Sequence, residues 1–194
     1  MGLIGLNFKI DGTMKCESMM MNLSELEMLN LWKLHHGYTT PRRDCALERD
    51  DDAEIDSLLL DEMRAWYANV LLTASPDLLP VEDVSEDCTV TKMAEGMVEM
   101  KLPSRCVRVI AVRLSAWKRD ATAVCAAGTE ADLRQSVEWL RGTVQHPVAI
   151  SGEGNVLRLY TVPAGTETEA EKVLCVVRPA DGSYQFSQLL LGSL

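Results

Sequence analysis

The chain has 194 residues, of which 47% are hydrophobic and 25% are charged, a composition typical of globular proteins. Twenty-nine acidic residues against 19 basic ones give a net charge of -10, which argues against an extended phosphate-binding surface. The length suits one ample core or two small ones, and we take residues 1–194 as a single α+β domain.

Signals for export or membrane insertion are missing from the sequence. The first ten residues, MGLIGLNFKI, have no cationic start and no small-residue cleavage site, so we expect no secretory signal. Leu6 stands where a myristoylation site has Ser or Thr. No apolar run approaches the roughly 20 residues that span a bilayer. We therefore expect a protein of the reducing cytoplasm without membrane contact.

Six cysteines are spread along the chain without a C-x-x-C pair or a closely spaced Cys/His pair of zinc-finger type. Cys106 and Cys175 lie in Val-rich patterns, where a free Cys behaves as a small hydrophobe. His35 and His36 would point about 100° apart on a helix and cannot both face one ion. The sequence thus predicts no metal site and six reduced thiols: Cys16, Cys45, Cys88, Cys106, Cys125 and Cys175.

The elements predicted first in chain order are a short strand at residues 3–10 and a helix in NLSELEMLNLWKLHH. Ser24 and Glu27 have the capping-box spacing, and Gly37 follows the end of this helix. Residues 1–21 are expected to form an extended N-terminal segment that either reaches a neighbouring molecule or packs locally, because methionine adapts to varied surfaces. The methionines that suggest this segment are Met14, Met19, Met20, Met21 and Met28.

A second helix is predicted in DDAEIDSLLLDEMRAWYANVLL, which completes a helical part at residues 22–75. Acidic residues crowd its start, where the helix dipole favours negative charge. Apolar residues then recur at helical spacing and form one stripe, widened by further apolar neighbours. The stripe consists of Ile55, Leu59, Met63, Trp66 and Val70.

From residue 81 the pattern becomes that of strands, and residues 81–194 are predicted to form a mainly β part. CTVTKMA and MVEMKLP flank Glu95-Gly96 as a hairpin. In LPSRCVRVIAVRLSAWKRD, residues 106–116 are apolar on both faces apart from two arginines, which predicts a central strand. Strict alternation would place Ile110, Val112, Leu114 and Ala116 on one face and Val107, Val109 and Ala111 on the other.

The remaining segments complete the predicted fold class. TEADLRQSVEWLRG fits a short helix with Thr129 as N-cap or an irregular excursion between strands. HPVAISGEGNVLRLYTVP indicates a second hairpin, and AEKVLCVVRPADGSYQF another strand closed by a proline and an Asp-Gly turn. The prediction is an α+β fold, with an N-terminal helical pair packed with an antiparallel β-sheet or β-sandwich of five to six strands.

Motifs that carry catalysis are missing: there is no P-loop, dinucleotide fingerprint, zinc-protease helix or nucleophile elbow. SGEGN lies between two strands without a following helix, so it indicates a hairpin turn. His146 has no nameable partner. The acidic run at residues 48–54 fits a solvated first helical turn better than a cation site. We expect no enzyme activity, no cofactor, and no catalytic or cofactor-binding residues.

The order of DEMRAWYANVLL, LPSRCVRVIAVRLSAWKR, QHPVAISGEGNVLRLYTVP and EKVLCVVRP resembles the head-tail adaptor or connector proteins of tailed bacteriophages, the subunits that ring the portal vertex. The resemblance covers roughly residues 58–179 and departs at Thr161-Val162, where a shorter LYP is usual. It implies a structural virion protein that is assembled in the host bacterial cytoplasm as a ring homo-oligomer. Its partners would be copies of itself and the portal and tail proteins, with DNA passing through the channel without specific binding.

The basic residues of LPSRCVRVIAVRLSAWKRD are predicted to meet acids on a neighbouring subunit, since complementary charge fixes register and speeds encounter. Pairing with acids of the second helix in the same chain is the alternative. The candidate interface residues are Arg108, Arg113, Trp117, Lys118 and Arg119. The alternative function is a cytoplasmic ligand-binding or regulatory β-sandwich domain, with a small-molecule pocket beneath Trp117 and Trp139.

Overall fold

The structure is a computed structural model that describes residues 19–38, 52–94, 96–163 and 168–193. Within these ranges it contains three α-helices and ten strands, arranged in sheets of two, three and five strands. The predicted α+β class with helices at the N-terminal end is confirmed. The predicted strand at residues 3–10, as well as Met14, Cys16, Cys45 and residues 48–51 of the acidic run, lie outside the described residues.

The helical pair consists of α1 (Glu25–His35) and α2 (Asp52–Thr73). The predicted capping box is present: Ser24 Oγ accepts from the Glu27 backbone N–H, and Glu27 Oε2 accepts from the Ser24 backbone N–H at 2.8 Å. The buried stripe of α2 follows helical spacing, although Ile55 at its start is exposed. The buried residues of the pair are Met28, Leu29, Trp32, Leu59, Met63, Tyr67, Val70 and Leu71.

A two-stranded ribbon joins the start of the described chain to its end. Strand β1 (Met20–Ser24) pairs antiparallel with β10 (Ser183–Ser187), which the sequence did not predict. Residues 20–24 are therefore paired within their own chain, and Met28 is fully buried in α1. For these residues the structure favours local packing over a segment that reaches a neighbour.

The ribbon is bound to α2 through one tyrosine. The Tyr67 hydroxyl donates to the Gln185 carbonyl at 3.0 Å and accepts from the Gln185 backbone N–H at 3.0 Å. Tyr67 thus occupies both backbone groups of one residue on β10, as a neighbouring strand would. Burial raises the pKa of Tyr67 above its ordinary value, so the hydroxyl remains a donor well into the alkaline range.

The three-stranded sheet has the order β2 (Val81–Asp83), β9 (Ala170–Val177), β5 (Cys106–Leu114), with both pairs antiparallel. The prediction that β5 is a central strand is therefore wrong, because β9 lies between β5 and β2. Both faces of β5 are apolar because helices cover one face and another sheet covers the other. Along the other edge of β5, the only backbone pairing among the described residues is an isolated bridge between Val112 and Ala121.

The predicted faces of β5 also need correction. The register of β5 on β9 shifts three times, and each shift ends the strict alternation of side chains. As a result Ile110 packs against the helical side with Val107, whereas Val112 and Leu114 face the opposite side together with Val109. A period-2 pattern cannot predict such shifts.

The five-stranded sheet has the order β3-β4-β8-β7-β6. Both predicted hairpins are confirmed: β3 (Thr89–Ala94) pairs with β4 (Met97–Lys101), and β7 (Ala149–Ser151) pairs with β8 (Val156–Tyr160). Strand β6 (Val124–Ala126) pairs parallel with β7, which makes the sheet mixed instead of antiparallel. Between β6 and β7 the chain forms the short helix α3 (Glu130–Gln135), with Thr129 at the N-cap as predicted, and a 3-10 turn (Glu138–Leu140).

Two buried clusters share strand β9. One fills the space between the three-stranded and five-stranded sheets and includes Val173, Cys175 and Val177. The other lies between the three-stranded sheet, the helices and the ribbon, and includes Val176. Alternate side chains of one strand therefore belong to both clusters.

The four cysteines in the described residues are free thiols, with Cys106 and Cys175 buried and Cys88 half-buried. Burial raises the pKa of the Cys88 thiol to about 11. A hydrogen bond with Cys106, together with burial, raises the pKa of Cys175. These thiols act as small apolar side chains of the core.

Val112→Asp should unfold or strongly destabilise the protein, because Val112 has 0% exposure and the new carboxylate would have no partner in an apolar interior. The expected loss is several kcal/mol, a large part of the about 5–15 kcal/mol of ordinary stability. Val81→Asp, at an exposed strand position, is the matched control. Urea denaturation measures both, and an unchanged midpoint for Val112→Asp would place Val112 outside the core.

Stability should also fall as the pH rises above 9, because an unfolded Cys88 ionises near its ordinary pKa of 9.0 and the folded one near about 11. The folded pKa is the higher one, so its stabilisation is complete below pH 9 and is lost between these two values. Urea denaturation at neutral and alkaline pH should show a smaller loss in Cys88→Ala than in the wild type. Cys125→Ala is the control, and an identical pH dependence in Cys88→Ala would contradict this account.

Candidate subunit interface

Arg108 of β5 binds the end of helix α2. Its Nη1 donates to the Leu72 carbonyl at 2.7 Å and its Nη2 to the Ala74 carbonyl at 2.6 Å. Carbonyls at a helix C-terminus lack helical partners and carry partial negative charge, so a guanidinium is well suited to them. Arg108 therefore contacts the second helix of its own chain, through carbonyl oxygens and not through the acids that the intrachain alternative proposed.

Arg113 and Trp117 also have their contacts within the chain. Arg113 Nε lies 3.1 Å from Glu171 Oε2, and Arg113 Nη1 lies 3.8 Å from Asp120 Oδ1. Trp117 is enclosed in the core between the sheets and is only 3% exposed. For these two residues and Arg108, the contacts in the structure give no support to a role at an interface.

Lys118 and Arg119 differ from the other predicted interface residues because both side chains are exposed. Among the described residues no acidic side chain forms an ion pair with either of them. The backbone N–H of Lys118 donates to the Val144 carbonyl at 2.9 Å, so this basic loop is attached to the chain that leads into β7. These two cations are available to a partner.

The segment between β6 and β7 presents large apolar side chains to solvent. Trp139, in the 3-10 turn, is 85% exposed, and Leu133 and Leu140 are also largely exposed. A single exposed leucine is ordinary, but a tryptophan so fully in water is unusual, which makes this segment the candidate contact surface. Sequence reasoning assigned Trp139 to a pocket wall and missed this exposure.

Gln135 holds the turn that carries Trp139. Its side chain is buried, and its Oε1 accepts from the Gly142 backbone N–H at 3.0 Å. Its backbone carbonyl accepts from Arg141 Nε at 2.7 Å. The two bonds connect the last residue of α3 to the two residues that follow the 3-10 turn, so the loop that carries Trp139 is closed at its base.

Gly142 fixes the other side of the same loop. A Cβ at this position would lie 2.7 Å from the His146 carbonyl oxygen and 3.0 Å from Val148 Cγ2, which only glycine avoids. Thr143 and His146 pair through two backbone hydrogen bonds of 3.1 and 2.9 Å. Since Val144 also binds Lys118, the Trp139 turn and the Lys118-Arg119 loop belong to one hydrogen-bonded assembly.

The pocket predicted beneath Trp117 and Trp139 does not form, because the first indole is enclosed and the second lies in solvent. A groove of about 440 Å³ lies elsewhere, between α2 and the turn before β10. In it Arg64 Nη2 binds Glu25 Oε2 at 2.9 Å, and the Tyr184 hydroxyl donates to the same oxygen at 3.2 Å. The hydrogen bond from Arg64 lowers the pKa of Glu25. Exposed Arg178 and Asp181 complete this mixed-charge lining.

The described residues offer neither a metal cluster nor a membrane-spanning helix. No group of three or more His, Cys, Asp or Glu side chains in the described ranges is arranged to hold a metal ion. None of the described helices is both long enough and apolar enough to cross a lipid bilayer.

Arg108→Met should lower the stability by about 1.5–3 kcal/mol, the usual contribution of hydrogen bonds to a charged group. The reason is the loss of both bonds to the end of α2, while the aliphatic part of the side chain is kept. Arg119→Met is the matched control and should leave the urea midpoint unchanged. Equal midpoints for the two variants would show that Arg108 does not anchor the helix.

Comparisons with known proteins add no family or relative to these observations. The chain matches no family model, and no curated protein matches it significantly. Its function is therefore inferred from its own residues and contacts, together with the resemblance noted in the sequence.

Proposed function

We propose that the chain is a structural virion protein, a head-tail connector subunit that assembles as a ring at the portal vertex of a tailed bacteriophage. The observation that carries the self-association is Trp139, held outward by Gln135 and Gly142. The resemblance to connector proteins over roughly residues 58–179 supplies the place of the ring in the virion.

A tryptophan in this setting favours a protein partner. An indole buries about 150–250 Å² when it is covered, and tryptophan is enriched among the residues that dominate binding energy. The closed loop behind Trp139 means that little conformational freedom is lost on binding, which favours affinity. The partner would cover Trp139 together with the neighbouring Leu140.

The charges indicate a second copy as that partner. A chain with a net charge of -10 exposes mainly acidic surface, so Lys118 and Arg119, which pair with no acid in the described part of the chain, are attracted to another copy. One acidic stretch, VEDVSED at residues 81–87, exposes Glu86, along with Glu82 and Asp87, which also bind Arg105 of the same chain. Contact between two different patches of the same chain is heterologous, and such contacts close into rings when the rotation permits.

The head-tail position accounts for the overall charge as well. A ring whose channel surface is acidic lets DNA slide without adhering to it, because binding to the phosphate backbone depends on Lys and Arg. In this proposal the other partners are the portal and tail proteins. Assembly takes place in the host bacterial cytoplasm.

A ligand-binding or regulatory domain is the second candidate function, and the groove beside Arg64 is the observation that favours it. Its volume of about 440 Å³ is within the range of small-molecule sites. Arg64 already forms an ion pair with Glu25, however, and this carboxylate would compete with an anionic ligand for the guanidinium. Under this alternative the protein would be a monomer that a metabolite stabilises.

Trp139→Ser should weaken self-association by about 2 kcal/mol or more, roughly thirtyfold in Kd, because a central tryptophan anchor is lost. Leu26→Ser, at an exposed apolar position on α1, is the matched control and should assemble as the wild type does. Light scattering after gel filtration over a range of protein concentrations measures the mass. A folded Trp139→Ser protein that assembles as the wild type does would contradict the proposed interface.

A further inference from the structure

A second groove, of about 500 Å³, lies between β5 and β6, where the three-stranded and five-stranded sheets come near each other without pairing. Within the described part of the chain, β5 pairs only with β9 and β6 only with β7. Each strand therefore turns an open edge to the groove, with backbone N–H and C=O groups that have no strand partner.

Both ends of this groove are closed by hydrogen bonds, one set from a side chain and one between backbone groups. At one end Asn155, at a positive φ of 58°, donates from Nδ2 to the Cys106 and Pro103 carbonyls at 3.3 Å. At the other end Val112 and Ala121 exchange two backbone hydrogen bonds of 3.0 and 2.8 Å. From that antiparallel bridge the two segments run apart, because β6 turns to pair with β7. The open edge of residues 107–111 is about 17 Å long, the length of a short strand.

The walls of the groove would accept an extended chain with apolar side chains. Val109 and Val124 are only partly buried and pack at the border of the core between the sheets. Leu157 lies at the floor and is almost fully buried. An added strand would satisfy both open edges and would place alternate side chains against these residues, the usual mode of strand addition.

We infer that this groove receives residues 3–10 of a neighbouring copy as an added strand. The stretch LIGLNFKI is the segment that the sequence predicts as a strand, and Lys9 is its only charged residue. Residues 11–18 connect this stretch to Met19 and span up to roughly 30 Å when extended, enough to reach a subunit in direct contact. The added strand would join the two sheets into one continuous sheet across the subunit boundary.

This inference rests on the self-association proposed above but uses a different surface, so the two can fail separately. Hydrogen exchange measured by mass spectrometry on the full chain reports on the groove, and light scattering on the same samples reports the mass. With rising protein concentration, exchange at residues 107–111 and 122–126 should slow by roughly tenfold or more as the mass increases. Leu6→Pro should abolish this protection, because proline removes a backbone donor from the added strand.

Lys15→Pro is the matched control, since it lies outside residues 3–10 and should keep the protection. Protection that is already complete in the monomer would mean that the chain fills its own groove, and would overturn the inference. Association without protection, or with protection that Leu6→Pro leaves intact, would overturn it as well while leaving the proposed function standing. A chain that stays monomeric at every concentration would overturn both.

Discussion

The rest of the structure depends on one strand, β9, being buried on both faces. Its Cys175 side chain belongs to the core between the sheets, and the next residue, Val176, belongs to the core beneath the helices. On its edges it pairs with β2 and β5, so every layer of the described chain contacts it directly or through one neighbour. The helices, the three-stranded sheet and the five-stranded sheet are thereby held in fixed positions relative to one another, and they support the surfaces proposed for assembly.

The elements predicted correctly are those whose causes are local. The capping box of Ser24 and Glu27 and the two hairpins each depend on residues close in sequence. Strand order is a long-range property, and for this reason the prediction that β5 is the central strand is wrong: β9 has that position. Strands β1 and β6 were not predicted, because β1 pairs with β10 at the other end of the described chain and β6 pairs with β7 across α3, so no turn signal connects either pair.

The residues of the candidate interface also differ in whether their role could be predicted from local sequence. Lys118 and Arg119 follow an apolar run, so their exposure was predictable from the pattern, whereas the use of Arg108 as a partner of α2 requires knowing which helix packs on β5. The exposure of Trp139 depends on the contact of Gln135 with Gly142, seven residues apart, and no periodic pattern contains that information. A tryptophan in a segment without an apolar stripe was the only signal in the sequence.

The central claim is that this chain is a ring-forming subunit, and direct imaging of the assembled wild-type protein is its most direct test. Electron microscopy of the protein over a range of concentrations should show closed rings of one copy number at the higher ones, as expected for a heterologous contact that closes. Particles no larger than a single chain of 21.5 kDa, or open filaments without closure, would contradict the account.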